Sequence, residues 1–575
     1  MIEHLHSTWA ELTAPGAPFA LSATTVRGIP MQVFAGAPPH MRAIWEMAAA
    51  YGDRDYVVYE DERLTYNEVS AQVRALAAHL REVHGVDSGD RVAVAMRNFP
   101  EWVVAYWATL SVGAAVVGMN AWWTGAEMEY GLLDSTPKVL IADDERLVRL
   151  APHLDAVRAQ IPLAIISTRS TAGPADTLRW SDVANAASAP ATLPDATIDP
   201  DDDACIFYTS GTTGFPKGAQ LTHRGCVSNI MHLGFWAAAS ALAKARATAA
   251  ASGEAVPAPA PAAPTVFMAP TPLFHVTANN CLLHPATLSG GKIVFTYKWD
   301  AGRALELIER EKVTNFSGVP TMSRELLAHA DWATRDTSSL AGMGGGGAAL
   351  QPDLVEKIDR SLAGGAPSTG YGLTETCGIV TANSAAFYLA KSSSCGPVMP
   401  TFEAKLVDDD DNEVAPGLPG QLCVRGPAVI RGYLNKPEAT ADAIRDGWFN
   451  TGDVARIDDD GFVYIVDRVK DMVLRGGENV YCSEVETAIY EHDAVAEVAV
   501  FGMPDDRLGE EVAAAVLPHP GAFIDEASLQ AFLSERIAKY KIPARVWILD
   551  QPIPRNASGK FVKRELKKQL LESLT

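Results

Sequence analysis

A short apolar segment that runs directly into a glycine-rich loop places the tightest limit on the fold. Residues 204–208 read ACIFY, and the next ten read TSGTTGFPKG. An apolar run of this length predicts a buried strand. Glycine permits positive φ, so the backbone N–H groups of such a loop can approach an anion closely. The pattern predicts a strand that ends in an anion-binding loop; a glycine-rich surface turn without a ligand is the alternative.

The polar side chains of this loop suit a phosphate group. Hydroxyl and backbone donors, together with the mobile positive charge of Lys217, make it a phosphate cradle. Its candidate ligand-binding residues are Thr209, Ser210, Gly211, Thr212, Thr213, Gly214 and Lys217. The loop does not match the Walker pattern GxxxxGK[ST]. Pro216 occupies the position of the last glycine in that pattern, and Gly218 occupies the position of the magnesium-binding hydroxyl residue. A phosphotransferase of the Walker type is therefore disfavoured.

Helical and strand patterns alternate along much of the chain. Residues 63–83 begin with a capping box, Thr65 and Glu68, and then carry apolar residues at helical spacing. Residues 91–96 and 139–145 are short apolar runs, which predict buried strands. This alternation predicts an α/β fold with layers of mostly parallel sheet.

Two other segments have unusual composition. Residues 101–120 are apolar enough to suggest a membrane span, but Gly113 lies in the middle and no basic cluster flanks them. We predict a helix, a break at the glycine and a buried strand. Residues 237–264 are rich in alanine and proline, which predicts a helix that runs into a flexible surface insertion outside the core.

The overall composition limits the class of partner. The chain has 575 residues and a formal net charge of −22, so two to four domains and an acidic surface are expected. Such a surface repels nucleic acid and anionic lipid. Seven scattered cysteines, without a CxxC or a His/Cys cluster, predict a reduced cytoplasmic setting and no structural zinc. The first residues do not read as a signal peptide.

Six motifs in order resemble the signatures of the adenylate-forming superfamily, which contains acyl- and aryl-CoA synthetases. The first is the loop at 208–218. The others are GGGGAAL (344–350), STGYGLTET (368–376), WFNTGD (448–453), DRVKDMVLRGGENVY (467–481) and PRNASGK (554–560). The similarity runs from about residue 35 to residue 570. The resemblance implies an AMP-forming acyl-CoA synthetase that uses ATP, Mg²⁺ and coenzyme A.

The resemblance assigns nucleotide contacts to the middle motifs. Glu375 is a hard oxygen ligand suited to Mg²⁺, and the hydroxyl of Thr374 lies beside it in sequence. Tyr371 offers a flat face to adenine. The remaining adenine and acyl-pocket positions are Gly347, Ala348, Ala349, Gly370 and Gly372.

Three later residues complete the predicted catalytic set. Asp453 would accept the ribose hydroxyls, and Arg468 would reach the ribose or phosphate region. In the family, the lysine that matches Lys560 contacts the carboxylate and the α-phosphate during adenylation. An Asx-turn aspartate, a surface ion pair and a solvated lysine are the respective alternatives.

The resemblance also implies a change of conformation between two reactions. The predicted domains are a large N-terminal domain, 1–466, a hinge segment, 467–471, and a small mobile α+β C-terminal domain, 472–575. The hinge is Lys470. After a swing, Gly476, Gly477 and Glu478 would face the active centre and pass the pantetheine arm of CoA, while Lys560 would point to solvent.

The acid substrate is harder to predict. Amino-acid-activating relatives carry an aspartate where this chain has His275, so an amino acid is disfavoured, and His275 resembles the aromatic gate of acyl- and aryl-CoA ligases. Segments 234–240, 315–322 and 344–350 are expected to supply small apolar walls. Four successive glycines, 344–347, favour an open tunnel and therefore medium- or long-chain fatty acids. Aryl acids of the cinnamate or benzoate type and steroid side-chain acids stay open.

Other functions and partners stay open as well. The acyl group could pass to a carrier protein, or to oxygen as in luciferases, in place of CoA. Where the family often has proline, this chain has Ala349 and Cys482, which leaves the local shape of pocket and loop open. The expected partners are an acid with an apolar tail, ATP and CoA, without nucleic acid or integral membrane association. A homodimer is among the options for the oligomeric state.

Overall fold

The fold is α/β throughout the larger part of the chain. The computed structural model describes residues 1–170, 174, 176–209, 215–257, 265–347, 350–408, 410–476, 478–557 and 559–572. Within these residues the strands form an N-terminal hairpin and four larger sheets. The predicted loop residues Ser210, Gly211, Thr212, Thr213 and Gly214 lie outside the described residues, as do Ala348, Ala349 and Gly477.

Two large, mostly parallel sheets form the N-terminal part. The first has seven strands, of which only the edge strand Lys217–Thr222 is antiparallel to its neighbour. In spatial order its strands are Lys217–Thr222, Asp203–Thr209, Ala115–Gly118, Arg91–Ala95, Val139–Asp143, Ala164–Thr168 and Leu178–Arg179. The second has eight strands, antiparallel only at its two edges. Its order is Gly378–Ser384, Ala366–Leu373, Gly342–Gly346, Asn315–Gly318, Val266–Ala269, Lys292–Phe295, Asp55–Tyr59 and Glu62–Thr65.

The remaining sheets are mainly antiparallel. The N-terminal hairpin pairs Leu21–Val26 with Ile29–Phe34. A six-stranded sheet contains Gly396–Pro397, Phe462–Arg468, Trp448–Ile457, Gly420–Arg425, Glu403–Val407 and Ile444–Arg445. The C-terminal sheet contains Glu478–Val480, Val473–Arg475, Gly509–Pro518, Val495–Asp505 and Arg545–Ile548. The chain therefore passes from one sheet to the other between Arg468 and Val473.

Helices cover the faces of the two large sheets and lie on both sides of the C-terminal sheet. The N-terminal helices are Ile2–Thr13, Met41–Ala48, Tyr66–Glu82, Pro100–Ser111, Gly125–Ser135, Asp144–Leu150, Leu154–Arg158, Trp180–Val183 and His223–Ser252. They are followed by Val276–Ala278, His284–Ser289, Ala301–Glu311, Pro320–Ala328, Pro352–Ser361, Ala385–Ala390 and Pro437–Ala443. The C-terminal helices are Cys482–Tyr490, Glu526–Ser534 and Lys563–Glu572. Asn279–Leu283 forms a π-helical turn, and single 3₁₀ turns include Thr374–Thr376.

Several local predictions are confirmed. The helix Tyr66–Glu82 begins with the capping box of Thr65 and Glu68. The segment 101–120 forms the helix Pro100–Ser111 and the strand Ala115–Gly118, both buried, with Gly113 at φ +79° between them. The strands at 91, 139 and 204 also form as predicted. Each of these features depends on contacts within about ten residues, which a sequence pattern records directly.

The alanine-rich segment corrects one prediction. The helix His223–Ser252 continues into residues 237–252, where Ala239 and Ala243 are fully buried in the main core. It packs on the helix Ile2–Thr13, and Arg246 donates to the Thr8 hydroxyl at 3.1 Å. Small alanine side chains allow this close helix contact. The predicted helix is therefore confirmed, but one of its faces, with Ala239, Ala243 and Ala249, is buried and does not lie outside the core. The same helix is long and apolar enough to cross a membrane by length and composition, and 56% of its most apolar window is buried in the protein.

Candidate active site

Glu375 lies in a tight turn at the edge of the second large sheet. The strand Ala366–Leu373 ends there, and the 3₁₀ turn Thr374–Thr376 leads to Cys377, whose φ is +55°. The Glu375 side chain is buried, and the hydroxyl of Tyr433 donates to its Oε1 at 2.9 Å. Burial raises the pKa of Glu375, while the Tyr433 hydrogen bond and the charges of Arg468 and Lys217 oppose that shift. A buried carboxylate with a neutral donor on one oxygen can offer the other to a cation.

Lys217 begins the edge strand that follows the glycine-rich loop. It pairs with Thr209 across the antiparallel ladder, so both ends of the loop lie side by side. The Lys217 ammonium lies 5.1 Å from the centre of the Tyr433 ring. Lys217 and Glu375 therefore both contact Tyr433, although the two residues are far apart in sequence.

Asp453 and Tyr371 form a second pair of a carboxylate and a tyrosine hydroxyl in the cleft. Tyr371 donates to Asp453 Oδ2 at 2.7 Å, and Arg468 Nε lies 3.3 Å from Oδ1. Asp453 is 4% exposed, and its burial raises its pKa against the opposing effect of Arg468. The Tyr371 hydroxyl is thus engaged by Asp453, which leaves the ring face as its remaining means of contact with a base. Gly370 and Gly372 lie beside it in the same strand.

Lys560 reaches this cleft from the C-terminal end of the chain. Its loop closes on itself: Asn556 N donates to Lys560 O at 2.8 Å, and Lys560 N donates to Asn556 Oδ1 at 3.0 Å. A Cβ added at Gly347, where φ is +82°, would lie 2.6 Å from Lys560 Cε. Burial and then Arg468 lower the pKa of Lys560, while Asp453 and Glu375 raise it. Gly347 therefore leaves the space that the lysine occupies.

His275 lies at the entrance to a short helix, with its ring 4.8 Å from that of Phe274. Burial, with a smaller effect of Lys560, lowers the pKa of His275 to about 4. The imidazole is therefore neutral at physiological pH. An uncharged aromatic wall at this position agrees with an uncharged part of a ligand.

The predicted CoA residues lie elsewhere. Gly476 follows the strand Val473–Arg475 in the C-terminal sheet, and its N donates to Leu508 O at 2.8 Å. Glu478 begins the neighbouring strand and pairs with Arg475. Lys470 is exposed in the turn between the last two sheets. The structure therefore brings together Lys217, Glu375, Tyr371, Asp453, Arg468, Gly347 and Lys560, whereas the described contacts of Gly476 and Glu478 stay within their own sheet.

The glycine run does not by itself form an open tunnel. A Cβ at Gly344 would lie 2.3 Å from Ser368 Oγ, and one at Gly345 would lie 3.3 Å from Gly318 O. These two glycines permit close strand packing, whereas Gly347, beside Lys560, borders the cleft. In the expected wall at 234–240, Phe235 packs on Trp9 with ring centres 4.6 Å apart, away from the cleft. The run of glycines therefore carries less information on chain length than the sequence suggested.

Sequence reasoning missed two features of the site. Tyr433 comes from a segment without a glycine-rich or acidic signature, and only the fold brings it to Glu375, 58 residues away. A cavity of about 260 Å³ lies beside the Lys560 loop, with Arg97, Trp122, Tyr297, Lys298 and Arg555 in its lining. The Arg97 guanidinium lies 3.8 Å from the Trp122 ring centre, and its Nε and Nη1 are buried without a hydrogen-bond partner among the described residues.

Comparison with known families covers most of the chain. Residues 44–434 match the family of AMP-binding enzymes, and residues 484–560 match the C-terminal domain of AMP-binding enzymes. The two matches bracket the change of sheet between Arg468 and Val473.

Known relatives of similar length act on different acids. The chain is 36% identical over 513 residues to a feruloyl-CoA synthase of Amycolatopsis sp., covering 88% of this chain and 94% of that protein. It is 32% identical over 553 residues to a long-chain-fatty-acid–CoA ligase of Bacillus subtilis, covering 92% and 94%.

A solved structure shows the same fold. The o-succinylbenzoate CoA synthetase of Bacillus subtilis, in complex with the acyl-adenylate OSB-AMP, superposes with a TM-score of 0.73 at 29% identity, covering 91% of this chain and 97% of that one. The same enzyme is also known in complex with ATP and a magnesium ion, with a TM-score of 0.72 at 28% identity and coverage of 91% and 98%. This chain belongs to the adenylate-forming AMP-binding enzymes, within the AMP-forming acyl-CoA ligases.

Proposed function

We propose that this chain joins a carboxylic acid with an apolar tail to CoA in two steps at one cleft. In the first, a carboxylate oxygen attacks the α-phosphorus of ATP, pyrophosphate leaves and an acyl-adenylate forms. In the second, the sulfur of CoA attacks the acyl carbon, AMP leaves with the electrons of the C–O bond, and the thiol proton is released. The observation that carries this proposal is the convergence of Lys217, Glu375, Asp453, Arg468 and Lys560.

The charges of the cleft suit the first step. A carboxylate must approach a polyanion, so positive charge has to be in place around the α-phosphate before reaction. Lys217 approaches from the seven-stranded sheet and Lys560 from the C-terminal part of the chain, and Lys560 is desolvated by the cleft. We assign Lys560 to the reacting carboxylate and α-phosphate, Lys217 to the outer phosphates, and Asp453 with Arg468 to the ribose.

Magnesium fits the oxygen ligands of the site. Mg²⁺ is usually held by one or two carboxylates together with substrate phosphates, not by a closed protein cage. The described residues contain no cluster of three or more His, Cys, Asp or Glu side chains that could hold a metal. Glu375 would therefore hold the ion jointly with ATP, next to Thr374, and the ion would neutralise developing charge on the phosphates.

The second step is proposed to require a rotation of residues 472–575 about Lys470. The strand Phe462–Arg468 ends in a turn at 469–472 that is exposed at Lys470. Close to this turn, Cys482 N donates to Asp467 and Ser483 donates to Val466 O. Farther from it, Thr487 donates to Gln351 at 2.9 Å, Arg555 lies 3.6 Å from Glu325, and Arg324 lies over the Tyr490 ring. A limited set of crossing contacts is consistent with a part of the protein that changes position. The rotation would withdraw Lys560 and bring Gly476, Gly477 and Glu478 towards the cleft.

The cavity beside the Lys560 loop favours CoA over a carrier protein as the acyl acceptor. Arg97 and Lys298 lie outside the part that is proposed to rotate, and they place positive charge there on a chain whose net charge is −22. The aromatic rings of Trp122 and Tyr297 supply flat faces next to that charge. Phosphates with an attached purine base present the complementary chemistry.

A substitution at Arg97 tests this assignment. Arg97→Gln should raise the KM for CoA about tenfold, because a charge-assisted hydrogen bond is lost, and should leave acid-dependent ATP–pyrophosphate exchange unchanged. Arg456→Gln is the matched control, since Arg456 also lies over a ring, that of Tyr464 at 4.3 Å, away from the cavity. An unchanged KM in Arg97→Gln would contradict the assignment.

Fatty acids of medium or long chain are the proposed acids. The neutral His275 and the buried apolar neighbours Phe274 and Val276 favour an uncharged tail. An aryl acid is the second candidate, supported by the 36% identity to a feruloyl-CoA synthase. Because Gly344 and Gly345 are used for strand packing, the glycine run does not show how deep the acid pocket is. It therefore does not distinguish a fatty acid from an aryl acid.

A panel of acids separates them. Octanoate, palmitate, ferulate, benzoate and phenylalanine are each supplied with ATP, Mg²⁺ and CoA, and AMP and the thioester are measured. We expect the highest kcat/KM with a fatty acid and no turnover of phenylalanine. A preference for ferulate would establish the second candidate, and adenylate formation without any CoA thioester would overturn CoA as the acceptor.

A further inference from the structure

The segment Ile430–Leu434 joins the two elements that carry Lys217 and Glu375. Ile430 N donates to Glu375 O at 2.9 Å. On the other side, Gln220 N donates to Gly432 O at 3.0 Å, and Leu434 N donates to Gly218 O at 2.8 Å. Tyr433 itself pairs with Ala219 across an antiparallel bridge. Its backbone position is therefore fixed relative to both the lysine strand and the glutamate turn.

The Tyr433 side chain contacts both charged groups. Its hydroxyl donates to Glu375 Oε1 at 2.9 Å, and the Lys217 ammonium lies 5.1 Å from the ring centre. The face of an aromatic ring attracts a cation, and the phenol O–H attracts a carboxylate. The neutral Tyr433 side chain thus contacts the Glu375 carboxylate with its hydroxyl and the Lys217 ammonium with its ring.

This arrangement separates the two charges. No ion pair joins Lys217 to Glu375 in the part of the chain that the structure describes, although Lys217 is close enough to affect the pKa of Glu375. A direct pair would neutralise both groups before a nucleotide arrives. With Oε1 engaged by a neutral donor, Oε2 is the oxygen left for a cation, and no competing positive charge is added beside it.

We propose that Tyr433 is a positioning residue that holds Glu375 for Mg²⁺ and keeps Lys217 apart from it for the nucleotide phosphates. This role rests on the proposed function, because it needs a metal–nucleotide complex in the cleft. Loss of the hydroxyl alone should free the Glu375 side chain to turn towards Lys217. The metal-dependent part of nucleotide binding should then weaken, while the ring and the backbone bridge stay in place.

The chain offers a closely matched control. Tyr464 donates to Asp458 Oδ2 at 3.0 Å, and its ring lies 4.3 Å from the Arg456 guanidinium carbon. It has the same chemistry as Tyr433, a carboxylate at the hydroxyl and a cation on the ring, outside the cleft. Tyr464→Phe therefore reports the general cost of removing such a hydroxyl.

The test measures nucleotide binding by calorimetry, without acid or CoA. The full chain is titrated with the α,β-methylene analogue of ATP in the presence of Mn²⁺ and in the presence of EDTA. In the unaltered protein Mn²⁺ should tighten binding. We expect Tyr433→Phe to reduce that tightening about tenfold, the effect of one hydrogen bond to a charged group, and Tyr464→Phe to leave it unchanged. Glu375→Gln is measured alone and combined with Tyr433→Phe. If the tyrosine acts through Glu375, Tyr433→Phe should cause no further loss in a protein that already carries Glu375→Gln.

Each outcome decides a different point. Unchanged Mn²⁺ dependence in Tyr433→Phe, or equal losses in Tyr433→Phe and Tyr464→Phe, would overturn the role of Tyr433 alone. Full additivity with Glu375→Gln would also overturn it. Absence of nucleotide binding by the unaltered protein would overturn the proposed function and this role with it. Thermal unfolding of each variant confirms that the compared proteins are folded.

Discussion

The two walls of the cleft are built in different ways. On the N-terminal wall, Glu375 and Asp453 are 9% and 4% exposed, and each accepts a hydrogen bond from a tyrosine hydroxyl. On the C-terminal wall, Lys560 is half-buried and its loop is held mainly by bonds to Asn556. The groups that we propose to bind nucleotide are thus fixed in a core, whereas the proposed catalytic lysine lies in a loop of the C-terminal part. Under the proposed two-step reaction, this difference makes the C-terminal wall the side expected to move.

Of the substitutions that test the difference between the two walls, removal of the Lys560 side chain should have the largest effect. Lys560→Ala should lower acid-dependent ATP–pyrophosphate exchange by about 10²–10³-fold, because a preorganised charge at the α-phosphate is lost. Thioester formation from supplied acyl-adenylate should persist, since the proposed rotation would withdraw Lys560 from the cleft for that step. Lys568→Ala, at an exposed position of the helix that follows, is the control. Equal loss of both half-reactions in Lys560→Ala would contradict a role confined to adenylation.

A constraint at the proposed hinge should affect the opposite step. Proline fixes φ, and the Lys470 N–H makes no backbone hydrogen bond within the described residues. Lys470→Pro should therefore preserve pyrophosphate exchange and slow thioester formation about tenfold or more. Lys470→Ala, which lacks the ring, should retain both reactions. If Lys470→Pro catalyses both steps at normal rates, the rotation does not depend on this residue.

Asp467 should give a smaller, pH-dependent effect at the junction of the two walls. It accepts a hydrogen bond from Cys482 N, which a proline at 482 could not donate, and burial raises its pKa to about 6 from 3.8. Lys563 opposes that rise and Glu486 adds to it. Between those pH values the folded chain holds a proton that the unfolded chain has lost. The free energy of unfolding therefore falls as pH rises through this window.

Substitution by asparagine should remove this dependence and retain an acceptor oxygen. Relative to the unaltered protein, Asp467→Asn should gain about 1 kcal/mol more in free energy of unfolding at pH 7.5 than at pH 5, measured by urea denaturation. Taking the difference between the two proteins cancels the titration of other groups. A difference that is the same at both pH values would show that Asp467 is ionised with an ordinary pKa in the folded chain.

Local chemistry explains what could be predicted from the sequence. The capping box at Thr65 and the break at Gly113 depend on neighbouring residues, and the resemblance of the motifs anticipated the family and the α/β fold. Glu375, Asp453 and Lys560 could each be identified from the sequence because each lies in its own short motif. Their roles in catalysis stay predictions, although the fold brings their side chains together.

Long-range packing explains what could not be predicted. Tyr433 meets Glu375 only because its segment pairs with the strand that begins at Lys217. Gly344 is needed because Ser368 approaches from the next strand, which no local pattern records. The alanines at 239 and 243 pack in the core because the helix Ile2–Thr13 lies against them. In each case the deciding neighbour is distant in sequence.

Acid-dependent exchange of pyrophosphate into ATP tests the central claim most directly. With Mg²⁺ present and CoA absent, we predict exchange that requires an apolar carboxylic acid, is strongest with a fatty acid and is almost lost in Lys560→Ala. Failure of every acid to support exchange, or release of ADP in place of AMP, would contradict the account.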